Sequence, residues 1–127
     1  MVAIFTKTGD KTGTIEIEQG ADFILGFSLA VNETPWDLTG YTIRSSVRTN
    51  LSQAGTKVAD FNPTWVDQAT GKFTLGLSAI QTAAIPFTGF THLDIDRYQW
   101  DLELVSPTGS VVRLVGGFAM IIGEATK

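Results

Sequence analysis

The sequence predicts an all-β fold, an immunoglobulin-like antiparallel β-sandwich of about seven to eight strands with one short helical turn near Ser78–Ala84. Three observations carry this expectation. Apolar residues alternate with polar or small ones along Phe23–Val31 and Tyr98–Leu104, as strands with one buried face require. Turn-forming residues recur about every ten positions, the rhythm of short strands joined by tight connections. Helix-starting and helix-stopping residues come together in one place only. A small closed barrel is the alternative arrangement of the same strands.

The elements follow in order. Val2-Ala3-Ile4-Phe5 is a short apolar run, set off from the body by the turn-rich Thr8–Gly13, and reads either as an edge strand or as an arm reaching a neighbouring subunit. Residues 1–14 are therefore set apart from a single sandwich domain over 15–127. Ile15 and Ile17 alternate with Glu16 and Glu18. After the turn Gln19–Asp22, the residues Phe23, Leu25, Phe27, Leu29 and Val31 line one face of a long strand, backed by Ile24, Gly26, Ser28 and Ala30. Apolar on one face and small on the other suits a central position. Asn32–Pro35 ends it.

Asp37-Leu38-Thr39-Gly40 turns the chain into Tyr41–Arg48, a strand with a wet side. Thr49–Lys57 is a polar loop. Short strands are expected at Val58–Phe61 and Thr64–Asp67, and a third over Phe73–Leu77. Ser78 can cap a helical turn with Gln81 three residues on, in capping-box spacing, and Pro86 stops it. Phe87–His92 is an aromatic-rich loop. Tyr98–Ile122 is a long hairpin around Ser106-Pro107-Thr108-Gly109, expected at the middle of a sheet. Gly116-Gly117 inside its second strand marks a bulge or a close backbone approach.

Bulk composition narrows the function. At 127 residues with 43% hydrophobic content, the chain is one domain with a substantial core and is not disordered. Only 17% of residues are charged, below the usual quarter, which points to a surface partly covered by a partner. The net charge of −4 with no basic stripe argues against a nucleic-acid partner. There is no cysteine, hence no disulfide, thiolate nucleophile or cysteine-held metal. No run approaches the ~20 apolar residues of a membrane span, and none resembles a signal peptide. The expected location is the cytoplasm in which the chain is made, or a larger particle assembled there.

Catalytic chemistry finds little support. His92 has no cysteine or second histidine to share a metal. Asp94 and Asp96 place two carboxylates on one side of a strand without the glycine-bearing loop of a cation site. Gly9–Gly13 has neither the Gly-Lys-Ser/Thr order nor the helix of a phosphate loop. No nucleophile elbow or dinucleotide fingerprint is present, so no enzyme and no cofactor are expected. Aromatics are the remaining signal. Trp100 reads as core, whereas Ile4, Phe5, Trp36, Trp65, Phe87 and Phe90 are the candidate interface residues, since aromatics concentrate in interface cores.

Three stretches in order carry a resemblance. They are Asp37–Arg44, then Gly71–Pro86, then Tyr98–Leu104 followed by Ser106-Pro107-Thr108-Gly109 and Val112–Gly117. Together, over roughly residues 15 to 122, the chain resembles small tailed-phage virion proteins similar to the N-terminal immunoglobulin-like domain of the phage baseplate upper protein. The resemblance implies a virion structural protein acting through protein–protein contacts. It would be a baseplate or tail-fibre adaptor, partnered by other virion proteins and present as a homo-oligomer (a trimer is one form) or in many symmetric copies. The chain ends at Lys127 without a receptor-binding region, which favours the adaptor. A capsid cement or decoration protein is the alternative within virions. A carbohydrate-binding module using Trp36 and Trp65 is the alternative outside them.

Overall fold

A computed structural model describes residues 13–49, 55–89 and 95–123 in full, together with the backbone of residues 2–6. The strands are β1 (Val2–Thr6), β2 (Ile15–Glu18), β3 (Phe23–Val31), β4 (Thr34–Pro35), β5 (Thr42–Arg48), β6 (Lys57–Asp60), β7 (Asn62–Asp67), β8 (Lys72–Leu77), β9 (Ile95–Val105) and β10 (Val111–Ile122). One sheet runs β1-β3-β8-β7, with β4 also on β3; the other runs β2-β10-β9-β5-β6. The fold is an all-β sandwich, and the β9–β10 hairpin sits mid-sheet as its alternation requires.

Two features differ from the expected pattern. First, each sheet has a parallel edge: β1 lies parallel to β3, with Ile4 opposite Ser28 and Phe5 opposite Leu29, and β2 lies parallel to β10. The N-terminal stretch thus contributes one edge strand to each layer. Second, Asn32-Glu33 closes a two-residue hairpin into β4, so the chain turns there and keeps pairing. Both residues have positive φ, 51° and 68°, the signature of a turn whose twist matches the flanking strands. Asparagine tolerates that conformation; glutamate seldom adopts it, so the pair does not announce a hairpin.

The core fills from both inner faces. Leu25, Phe27 and Leu29 of β3 and Phe73, Leu75 and Leu77 of β8 face Val47, Trp100, Leu102, Leu104, Ala119 and Ile121 of the other sheet. Phe27 and Phe73 stack at 4.9 Å, and Phe61 meets Trp100 edge-on at 6.1 Å. Trp100 is 1% exposed, and its buried indole N–H donates to the Gly13 carbonyl at 2.9 Å.

The glycine pair of β10 marks a close approach. The bulge falls earlier, between Arg113 and Val115, where Leu114 and Val115 are buried in succession. A Cβ at Gly117 would strike the backbone of Gly13, whose N–H donates to Gly116 O at 3.1 Å. The helical turn is α1 (Ala79–Ala83), started by the expected capping box. Ser78 Oγ accepts from Gln81 N, and Gln81 Oε1 accepts from Ser78 N at 2.9 Å. Buried Thr82 ties α1 to the β2–β3 turn: its Oγ1 accepts from Gly20 N at 3.0 Å and lies 2.8 Å from Ala21 O.

Candidate interaction surface

The aromatics singled out from sequence lie at separate places. Trp36 follows β4, half-buried on the core, with its ring edge-on to Tyr41 at 6.0 Å; its backbone N–H donates to Leu29 O at 3.0 Å. Trp65 sits on edge strand β7, half-buried and edge-on to Phe73 at 5.6 Å. Phe87 packs half-buried where β10 ends, its ring occupying the space a Cβ on Gly123 would need. Among the described residues no ring contact joins these three. Ile4 and Phe5 lie in β1, but their side chains fall outside the described residues, as do Phe90, His92 and Asp94.

The loop before β9 is held by local polar contacts. Both carboxylate oxygens of Asp96 serve Thr88, taking its N–H at 2.8 Å and its hydroxyl at 3.0 Å. The Tyr98 hydroxyl donates to Pro86 O at 2.5 Å. Burial pushes the Tyr98 pKa above its ordinary value, and the nearby Asp96 charge adds to the rise. Asp96 therefore works as a loop clamp. Among the described residues no cluster of three or more metal-ligating side chains forms, and no helix is long and apolar enough to cross a membrane.

A broader surface emerges on the outer face of the β2-β10-β9-β5-β6 sheet. Pairing register places Met120 between Glu16 and Arg97, and Ile122 between Glu18 and Ile95, with Phe118 opposite Gln99. Phe118 is 42% exposed and Ile95 51%, so large apolar side chains face outward there. Arg97 lies over the Phe118 ring, 4.9 Å from its centroid, within cation–π range. The other end of this face is polar. Arg44 pairs with Glu103 at 3.1 Å and Arg113 with Asp101 at 3.4 Å, beside a cleft of about 510 Å³ lined by Arg48, Lys57, Asp60 and Phe61. Burial raises the Asp101 pKa and Glu103 adds to that, while Arg113 pulls it down.

Sequence reasoning overlooked this face, although a signal was present. From Phe118 to Ile122 both parities of β10 are apolar: Ala119 and Ile121 point inward, Phe118, Met120 and Ile122 outward. Large apolar side chains gathered on the outer face of a sheet mark a candidate contact surface.

A solved structure described as the N-terminal domain of phage TP901-1 ORF48 shares the fold, with a TM-score of 0.53 at 12% identity, covering 97% of this chain and 96% of that one. No family model matches the chain, and no curated protein does. The shared fold is that of the phage domain class which the ordered motifs of the sequence resemble.

Proposed function

We propose that the chain is a bacteriophage virion structural protein, a baseplate or tail-fibre adaptor that works through protein–protein contacts in a multi-copy assembly. The carrying observation is the fold shared with the phage TP901-1 ORF48 N-terminal domain along almost the whole of both chains. The ordered motifs from Asp37 to Gly117 support the same reading from an independent direction. The protein runs no reaction in this reading. Its task is to present a rigid sandwich whose edges and outer sheet face are held by other subunits, with many copies multiplying modest contacts.

Particles purified from the phage that encodes the chain test this. Mass spectrometry should find it at fixed stoichiometry, and electron microscopy of a deletion mutant should show particles lacking baseplate or fibre density. Complete, infective particles from the deletion mutant, with the chain absent from wild-type particles, would overturn the proposal.

A further inference from the structure

The outer face built on β10 and β9 divides its charges unevenly. Where it is polar, each close cation–acid contact is made within the subunit: Arg44–Glu103, Arg113–Asp101 and, on the edge strand, Lys57–Asp60. Beside the apolar patch of Ile95, Phe118, Met120 and Ile122 the charges are Glu16, Glu18 and Arg97. None of the ion pairs among the described residues uses any of these three. The two acids lie one strand to one side of β10, and Arg97 lies one strand to the other.

We propose that this face binds a second copy of the chain about a two-fold axis running along β10. The proposal rests on the multi-copy reading above and deepens it by naming one partner and the surface that meets it. Two sheets stack face to face about 10 Å apart, and neighbouring strands lie about 4.8 Å apart. A two-fold axis over β10 sets Met120 and Phe118 against their own counterparts. It exchanges left and right, so Glu16 of each copy comes to lie over the other's Arg97, with Glu18 beside it. Glu16 and Arg97 then gain oppositely charged partners, twice over, around a dry centre, with Glu18 over the other copy's Ile95 and one row along from its Arg97. This is the self-complementarity an isologous contact demands.

Area agrees with a weak affinity. About this axis β2 lies over the other copy's β9 and β10 over β10, so three strands about 4.8 Å apart, over about seven residues at ~3.4 Å each, offer on the order of 350 Å² per copy. That falls below the usual size of stable interfaces, so association is weak and transient in solution. The dimer is therefore micromolar or weaker and weakens with salt, and it strengthens once copies are held together in a particle.

Sedimentation equilibrium of the full chain, at concentrations up to about 1 mM, tests the proposal. The wild type should dimerise. Glu16→Arg with Glu18→Arg should weaken dimerisation at least ~10-fold, and Arg97→Glu should do the same, because each leaves like charges opposed. Mixing the two variants should restore a one-to-one heterodimer, since the oppositely altered faces complement each other again. Circular dichroism melts of each variant should show that the fold persists, the altered side chains being exposed. A wild type that stays monomeric at ~1 mM overturns the inference while leaving the adaptor reading to its own particle test. Self-association that ignores both charge reversals overturns it too, because the contact then lies elsewhere.

Discussion

Replacing Gly117 by alanine should destabilise the protein far more than the same change at Gly116. A Cβ at Gly117 lands on the Gly13 carbonyl oxygen and within 2.7 Å of its carbon and 3.0 Å of its nitrogen. The obstacle is backbone, so no side chain can swing aside, and Gly13 must move. Two hydrogen bonds go with it: Gly13 N–H to Gly116 O at 3.1 Å, and Trp100 Nε1–H to Gly13 O at 2.9 Å. The first contributes about 0.5–1.5 kcal/mol, and a buried indole N–H left without an acceptor costs about 1–3 kcal/mol. The sum is about 2–4 kcal/mol, a large share of the ~5–15 kcal/mol that holds a domain folded. At about 4 °C per kcal/mol for a chain of this size, Tm falls by about 8–16 °C. At Gly116 the added Cβ meets Trp100 O at 3.4 Å and Arg113 Nε at 3.6 Å, near ordinary contact, so that change should stay within about 0.5 kcal/mol. Urea unfolding followed by tryptophan fluorescence measures both. In a Trp100→Phe background the donor is already absent, so Gly117→Ala should cost about 1 kcal/mol less than in the wild type. Equal costs at the two glycines, or full additivity with Trp100→Phe, would refute the reasoning.

Four further outcomes follow from polar contacts. Thr82→Val, which removes a fully buried hydroxyl, leaves Gly20 N–H and Ala21 C=O without their partner and should cost about 2–3 kcal/mol in urea unfolding; a neutral result would mean water replaces the hydroxyl. Ser78→Ala removes the cap of α1 and should cost about 1 kcal/mol. Gln81→Ala should cost more than a cap alone, because Gln81 Oε1 also accepts from Asn62 Nδ2 at 2.7 Å; equal losses for the two would count against that tie. Asp101 should titrate above 3.8 in a carboxyl-detected NMR experiment, and Arg113→Met should raise it further by removing a cation that lowers it. The folded state then binds more protons than the unfolded chain between 3.8 and the raised value. This carboxyl's contribution to stability is therefore greatest below 3.8 and declines as pH rises through that window. A midpoint at or below 3.8 would show that the Arg113 pairing outweighs burial.

What the sequence made legible was local. The β9–β10 hairpin was readable because alternation and Ser-Pro-x-Gly turn chemistry act within a few residues, and the structure seats it mid-sheet. The capping box of α1 was readable because Ser78 and Gln81 are three apart. Non-local pairings were not. Nothing in Val2–Thr6 or Ile15–Glu18 specifies parallel addition to β3 and β10, since the partners lie more than twenty and about a hundred positions away. Gly116-Gly117 signalled a close approach, but not that Gly13 is what approaches. For the candidate surface, attention fell on Trp36 in a turn, Trp65 on a short strand and Phe87 in a loop, because aromatics concentrate in interface cores. Sequence does not report which way a ring faces, and each of these lies half-buried on the core. The outward row Phe118, Met120 and Ile122 was masked by the inward row woven between its members.

The parallel contact of β2 with β10 has a mechanical consequence. Ile15–Glu18 lies alongside Ala119–Ile122, both running the same way. Tension entering at the start of β2 and leaving at the far end of β10 pulls the two strands lengthwise past each other. The hydrogen bonds across their four residue pairs are loaded together, in shear. Peeling would break them one at a time at low force. Sliding demands that they yield at once, so a sandwich pulled along this line resists rupture far more than one peeled open from an edge.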